Sequence, residues 1–270
     1  KAKLRYAGDL DPDGATYFAE TGLSSGAETL WNFDYRVIDY GDNPDIANYD
    51  IQIAADFVAL DGTRTSGLMT FDAVAHRTAT GEDYYQDPSA TTDGLQNSQN
   101  IGWYAGEGFD PNASGSYEFT LTVTDKASGD VVAETQTTVR TADIIVGNTA
   151  DPESDVNHDS ISAAVADADV GDVILVKNGF TTGEATLTLG KAVTIMGADA
   201  SLTTEAAVYV DADGVLRIDM GKLPTSYTAV DLSGLGADAD VAFTTLGNLA
   251  QITTVAGQDI TLDAMQIDVI

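Results

Sequence analysis

The chain has 270 residues, 43% of them hydrophobic, no Cys, and 43 Asp and Glu against 12 Lys and Arg, for a net charge of −31. Enough apolar residues are present to exclude a disordered chain, and the acidity disfavours nucleic acid and anionic membranes as partners. The missing Cys excludes disulfides and thiolate metal sites, and no apolar run approaches the ~20 residues that cross a bilayer.

Residues 1–26 are rich in Gly and Asp and read as turns. Residues 31–37 (WNFDYRV) alternate apolar and polar, the period of a half-buried strand. Residues 49–57 form a second such strand, with Tyr49, Ile51, Ile53 and Ala55 on one face. Residues 68–74 form a third, with Leu68, Thr70 and Asp72 opposing Met69, Phe71 and Ala73. Residues 76–100 hold few aliphatics and read as a long loop, a length that usually marks function or poor order. Residues 101–104 predict a short strand. Residues 116–125 (SYEFTLTVTD) alternate over a whole strand, and a turn at 126–130 leads to a partner strand at 131–139.

Residues 140–157 are the expected junction between a domain at 1–142 and one at 143–270. Ile144, Ile145 and Val146 predict a strand that belongs to the second domain. A short helix follows over 161–168, with apolar residues at Ile161, Ala164, Val165 and Ala168 and Asp159 and Ser160 placed to cap it. Gly171-Asp172 is a turn. Apolar segments then run at 173–176, 192–196, 207–210, 215–220, 229–232, 241–243, 250–255 and 260–267. Their spacing is shorter than one solenoid turn each, so pairs of them would make each coil, three or four in all.

Ile161, Ala164, Val165, Gly171, Asp172, Val173, Leu175, Val176, Gly179, Phe180, Leu187, Leu189, Lys191, Val193, Ile195 and Gly197 together resemble the opening of a pectate-lyase-like right-handed parallel β-helix. The resemblance covers roughly forty residues. It implies a fold and no reaction, because function lives in sites grafted on folds. The hairpin over 116–139 resembles the last hairpin of immunoglobulin-like or PKD-like β-sandwiches; a jelly roll stays open. The fold class expected is therefore all-β: an antiparallel sandwich, then a small right-handed β-helix with a capping helix. Scarce Lys, abundant Asp and no Cys resemble a haloarchaeal protein, since high salt screens the self-repulsion of such a chain; an acidic extracellular or calcium-loaded bacterial domain is the alternative.

Asp9, Asp11, Asp13, Gly14 and Glu20 match D-x-D-x-D-G-x5-E, the spacing that sets carboxylates around one Ca²⁺. Pro12 inside the loop and the lack of flanking amphipathic helices argue against an EF-hand proper, leaving a calcium loop of another kind or a chance match in an Asp-rich chain. Asp155, Asn157 and Asp159 repeat the alternate-oxygen pattern, and a helix cap explains them better. His76 and His158 lack zinc spacing and read as surface residues. Tyr84, Tyr85, Trp103 and Tyr104 lie in or beside the polar stretch and are candidates for stacking on glycans; for Trp31, and as the alternative for Trp103, core is the plain reading. Asn112-Ala113-Ser114 matches a glycosylation sequon, a pattern met often by chance.

β-helix polysaccharide lyases need a basic residue beside calcium-binding carboxylates, and the second half offers only Lys177, Lys191, Arg217 and Lys222, unclustered. The expectation is no enzyme activity. No signal-peptide pattern opens the chain. The whole resembles a spike, turret or decoration protein of a haloarchaeal virus, which implies a virion-surface location, capsid or surface-layer partners and a homotrimer. The alternatives are a haloarchaeal cell-surface or S-layer adhesin and a polysaccharide-active β-helix enzyme. The apolar C-terminus, with Met265, Ile267, Val269 and Ile270, is expected to leave an uncapped end that pairs with another copy.

Overall fold

The structure is a computed structural model that describes residues 2–6, 9–10, 16–26, 28–40, 44–80, 93–147, 158–223 and 227–263. It is mostly β, with two α-helices among the described residues. The chain divides into two compact units, residues 1–59 with 63–141, and 60–62 with 142–270.

The N-terminal unit runs β1 (Ala2–Tyr6), β2 (Asp9–Leu10), β3 (Thr16–Glu20), β4 (Leu23–Ser25), β5 (Glu28–Thr29), β6 (Asn32–Asp39), β7 (Tyr49–Ala59), β8 (Arg64–Asp72), α1 (Ala73–Thr80), β9 (Asp93–Asn100), β10 (Gly115–Asp125) and β11 (Val131–Ala142). One sheet has the order β1-β6-β9 and another the order β2-β3-β11-β10-β7-β8. The pairs β1–β6, β6–β9, β7–β8, β7–β10 and β10–β11 are antiparallel. Alternation in β6, β7 and β10 sends Phe33, Tyr35 and Val37, then Ile51 and Ile53, then Tyr117, Phe119 and Leu121 into one buried core. Aromatic rings tie the two sheets together inside it. Phe33 lies 5.2 Å from Phe119, and Trp31 lies 5.2 Å from Tyr117. These are the tilted separations that aromatic pairs favour.

Four expectations change here. Residues 1–26 are not turns throughout, since β1, β2, β3 and β4 lie within them. Residues 76–100 are not one loop, since α1 covers the start and β9 the end. β9 pairs with β6 residue for residue, from Asp93↔Asp39 to Asn100↔Asn32. Its inward positions include Gln99 and Asn100, both buried and hydrogen-bonded, so the strand carries no apolar alternation to read. Residues 101–103 form a 3₁₀ turn rather than a strand. In β8, Leu68 and Met69 are both buried, and the clean two-faced pattern fails. The register against β7 slips between Ala55 and Phe57, a bulge that turns consecutive side chains the same way.

The C-terminal unit runs β12 (Ile144–Val146), α2 (Ile161–Asp167), β13 (Val173–Val176), β14 (Thr186–Thr188), β15 (Thr194–Gly197), β16 (Val208–Val210), β17 (Leu216–Asp219), β18 (Ala229–Asp231), β19 (Asp240–Thr245), β20 (Gln251–Thr253) and β21 (Asp259–Leu262). Its sheets have the orders β12-β13-β15-β16-β17-β19-β21 and β14-β18-β20. Parallel pairing stacks like on like. Ile144, Ile174 and Ile195 form one column, and Leu187, Val230 and Ile252 another. Burial fades toward the last described strand, where Ile260 is only partly covered and Leu262 is exposed. β16 departs from the parallel order by pairing antiparallel with β15 and β17. The connection from Val210 to Leu216 is a short turn, with Gly214 N donating to Asp211 O. A link that short joins only antiparallel neighbours.

α2 begins where its sequence says it should. Ser160 Oγ accepts from Ala163 N at 3.1 Å, and Ile161, Ala164 and Val165 are buried. At its other end Lys191 Nζ donates to Ala166 O and Ala168 O, a cation on the negative end of a helix.

Candidate functional site

Of the sequence-derived candidates, Asp9, Glu20, Trp103 and Tyr104 fall among the described residues. The motif D-x-D-x-D-G-x5-E spans a hairpin: Asp9 lies in β2, paired with Phe18 of β3, and Glu20 closes β3. Asp11, Asp13 and Gly14 lie outside the described residues, as do Tyr84, Tyr85, Asp155, Asn157 and the chain beyond residue 263. Among the described residues no group of three or more His, Asp or Glu is placed to hold a metal. Neither histidine is the plain surface residue expected. His76 packs 5.1 Å from Phe71 and 6.0 Å from Tyr104. The His158 side chain is 14% exposed and 3.6 Å from Asp167 Oδ2.

Trp103 and Tyr104 take opposite parts. Both follow β9 through the 3₁₀ turn Ile101–Trp103, whose first residue is preceded by Asn100. The Asn100 carboxamide knots this corner together. Its Oδ1 accepts from Thr29 N at 2.9 Å and Gly102 N at 3.0 Å; its Nδ2 donates to Thr29 O at 3.0 Å and Trp31 O at 3.1 Å. Tyr104 turns inward, 4.7 Å from Phe71, with its hydroxyl donating to Gln99 Oε1 at 2.8 Å. Trp103 is left 54% exposed. Of the predicted aromatics, Trp103 is the one this corner presents to solvent, while Trp31 is core as expected.

A second feature carried no sequence signal beyond alternation. On the outward faces of β11, β10 and β7, Thr138, Glu118 and Asp56 form one cross-strand row, and Gln136, Thr120 and Ala54 form the next. Together with Arg64 of β8 they line a polar groove of about 350 Å³. Glu118 and Asp56 stand directly opposite, a destabilising pair of like charges when left alone. Arg64 resolves it: Nη2 donates to Asp56 Oδ2 and to Glu118 Oε2, both at 2.7 Å. Asp56 Oδ1 also accepts from Gly67 N at 2.7 Å. The Gly67 N–H, then Arg64, hold the Asp56 carboxyl below the usual carboxylate range.

That electrostatic arrangement suits binding better than proton transfer. A general acid at neutral pH needs a raised pKa, and Asp56 is shifted the other way. What the groove offers is hydroxyls, an amide and anchored carboxylates, the groups that hydrogen-bond polyhydroxylated ligands. In the C-terminal unit, Arg217 bridges Asp211 at 2.7 Å and Asp263 at 2.6 Å, a tie between a turn and the residue after β21. Among the described residues no helix is long and apolar enough to cross a membrane. No protein-family model matches the chain, and no curated protein matches it.

Proposed function

We propose that the chain is a non-enzymatic structural protein of a particle surface, a turret, spike or decoration subunit of a halophilic virus. In this reading the N-terminal unit is an antiparallel β-sandwich and the C-terminal unit a short right-handed β-helix opened by α2. The observation that carries it is how the charge is used. Arg64, Lys126 and Arg217 are each engaged by carboxylates of their own unit. Lys191 and Lys222 donate to backbone carbonyls. With these five cations already engaged, the chain's excess of acidic residues, 43 against 12 basic, has few cations of its own left to balance it. Such a chain repels itself unless salt shortens the Debye length to about 3 Å near 1 M.

Two sheets around a single aromatic core support the sandwich. Columns of stacked aliphatics support the β-helix, with the antiparallel β16 as a local departure from it. Thin cover on β21, the last described strand, supports assembly of copies, for which a trimer is the proposal. Light scattering in ~2 M KCl and again in ~0.1 M salt, a range over which screening changes several-fold, tests this directly. A trimer that is stable at high salt is expected. A folded monomer at both salts would overturn it.

Exposure of Trp103 favours a second reading, a cell-surface or S-layer-associated adhesin that contacts glycans through this side chain and the Thr- and Gln-lined groove. Both readings place the protein on a surface.

A further inference from the structure

Between the end of β6 and the strands β10 and β11 the N-terminal unit holds a second cavity, of about 220 Å³. Its floor is apolar and buried, with Val37 and Val123 on it. Its rim carries two exposed apolar groups, Tyr40 at 59% and Val132 at 54%. Asp39 is the charged side chain in the lining, and Tyr49 stands beside it. Asp39 Oδ2 accepts from Asp45 N at 3.1 Å and lies 3.5 Å from the Tyr49 hydroxyl, so the carboxylate is held in place.

Size, charge and wall chemistry narrow the ligand. The cavity is smaller than the roughly 300–1,000 Å³ of sites that take drug-sized molecules, so it suits a single small group. Burial first, then the charges of Asp39 and Asp125, hold the Tyr49 hydroxyl above its ordinary range, and the Asp39 carboxylate in the lining disfavours an anion there. Lys126 does not offset that charge freely, since its Nζ donates to Ala47 O at 2.9 Å and sits 3.5 Å from Asp50. A bare metal ion gains nothing from valines, and a neutral ring gains nothing from the carboxylate. A cation wrapped in methyl groups gains from both and from aromatic faces as well.

From charge complementarity with Asp39 and the fit of methyls to the valine floor, we infer that this cavity binds the alkylated ammonium head of a small organic cation, with Tyr40 and Tyr49 as its aromatic wall. The inference is independent of the viral and adhesin readings. Its test is calorimetric titration of the full chain with choline chloride, in parallel with the neutral isostere 3,3-dimethyl-1-butanol, at fixed ionic strength. Choline is expected to bind saturably and the isostere at least about tenfold more weakly. Asp39→Asn, which keeps an acceptor for the Asp45 N–H, and Tyr40→Ala are each expected to weaken choline by about tenfold with the circular dichroism unchanged. Equal binding of the isostere, no saturation, or full affinity in Asp39→Asn would each overturn the proposal. So would a dimer that Tyr40→Ala dissociates, which would assign the cavity to a second copy of the chain.

Discussion

Asn100 shows how one polar side chain can organise a corner. It is 4% exposed and touches the backbone of Thr29, Trp31 and Gly102 through both ends of its carboxamide. A buried amide with its partners in place stabilises, while its removal leaves donors and acceptors stranded at about 1–3 kcal/mol each. Asn100→Ala is therefore expected to lower stability by about 3 kcal/mol in denaturant melts. Trp103→Ala, at a side chain more than half exposed, is expected to change stability by less than about 0.5 kcal/mol. The adhesin reading predicts that on a glycan array in high salt the parent binds and the Trp103→Ala variant does not. Unchanged binding would remove Trp103 from the adhesin reading without touching the fold.

Strand pairing is governed at the next scale by how closely backbones approach. Gly115 opens β10, opposite Ala59 of β7 and Thr141 of β11. A Cβ built there would lie 2.5 Å from Val58 O and 2.6 Å from the Phe57 ring. Gly115→Ala must push β10 from the β7 backbone at Val58, and it also presses on Phe57, which lies 4.7 Å from Tyr117. Overpacking of this kind costs about 1–3 kcal/mol. Thermal unfolding should show that loss, and a loss below about 0.5 kcal/mol would mean that the strand end gives way freely. At the other end of the same hairpin, Asp125 Oδ1 accepts from Ala127 N and Ser128 N. Those N–H groups hold the Asp125 carboxyl below its usual range, Ser128 contributing most.

The two units share one vulnerability across the whole molecule. Tyr35 and Tyr117 in the first and Tyr227 in the second are buried, and burial is the leading cause that raises each hydroxyl far above the ordinary range; Tyr104 adds to it at Tyr35, Asp110 at Tyr117 and Glu184 at Tyr227. The folded state therefore keeps protons that the unfolded chain releases at its ordinary pKa of about 10. Their contribution is complete below that pH and is lost as pH rises above it toward the folded values. Circular dichroism melts from pH 8 to 12, with tyrosinate absorbance followed in parallel, should show Tm falling above about pH 10 as absorbance rises cooperatively. The chain has 11 tyrosines, Tyr40 among them exposed, so the contradicting result is ionisation of all 11 with the fold intact.

Local chemistry left plain marks in the sequence wherever side-chain period and burial agree. The alternation of β6, β7 and β10, the cap at Ser160 and the apolar face of α2 are such places, because there each residue's partner is simply the inside. Long-range pairing decided the rest. β9 owes its existence to the backbone of β6 and to amides that find partners only in the folded corner, so its sequence looks like a loop. The Asp56–Arg64–Glu118 cluster joins three strands, and nothing in one segment announces the other two. The slip in β8 and the antiparallel turn of β16 follow from register and connection length, which are properties of pairs of strands. A residue's local pattern records which side is buried; which neighbour stands across from it is a matter of the whole chain closing on itself.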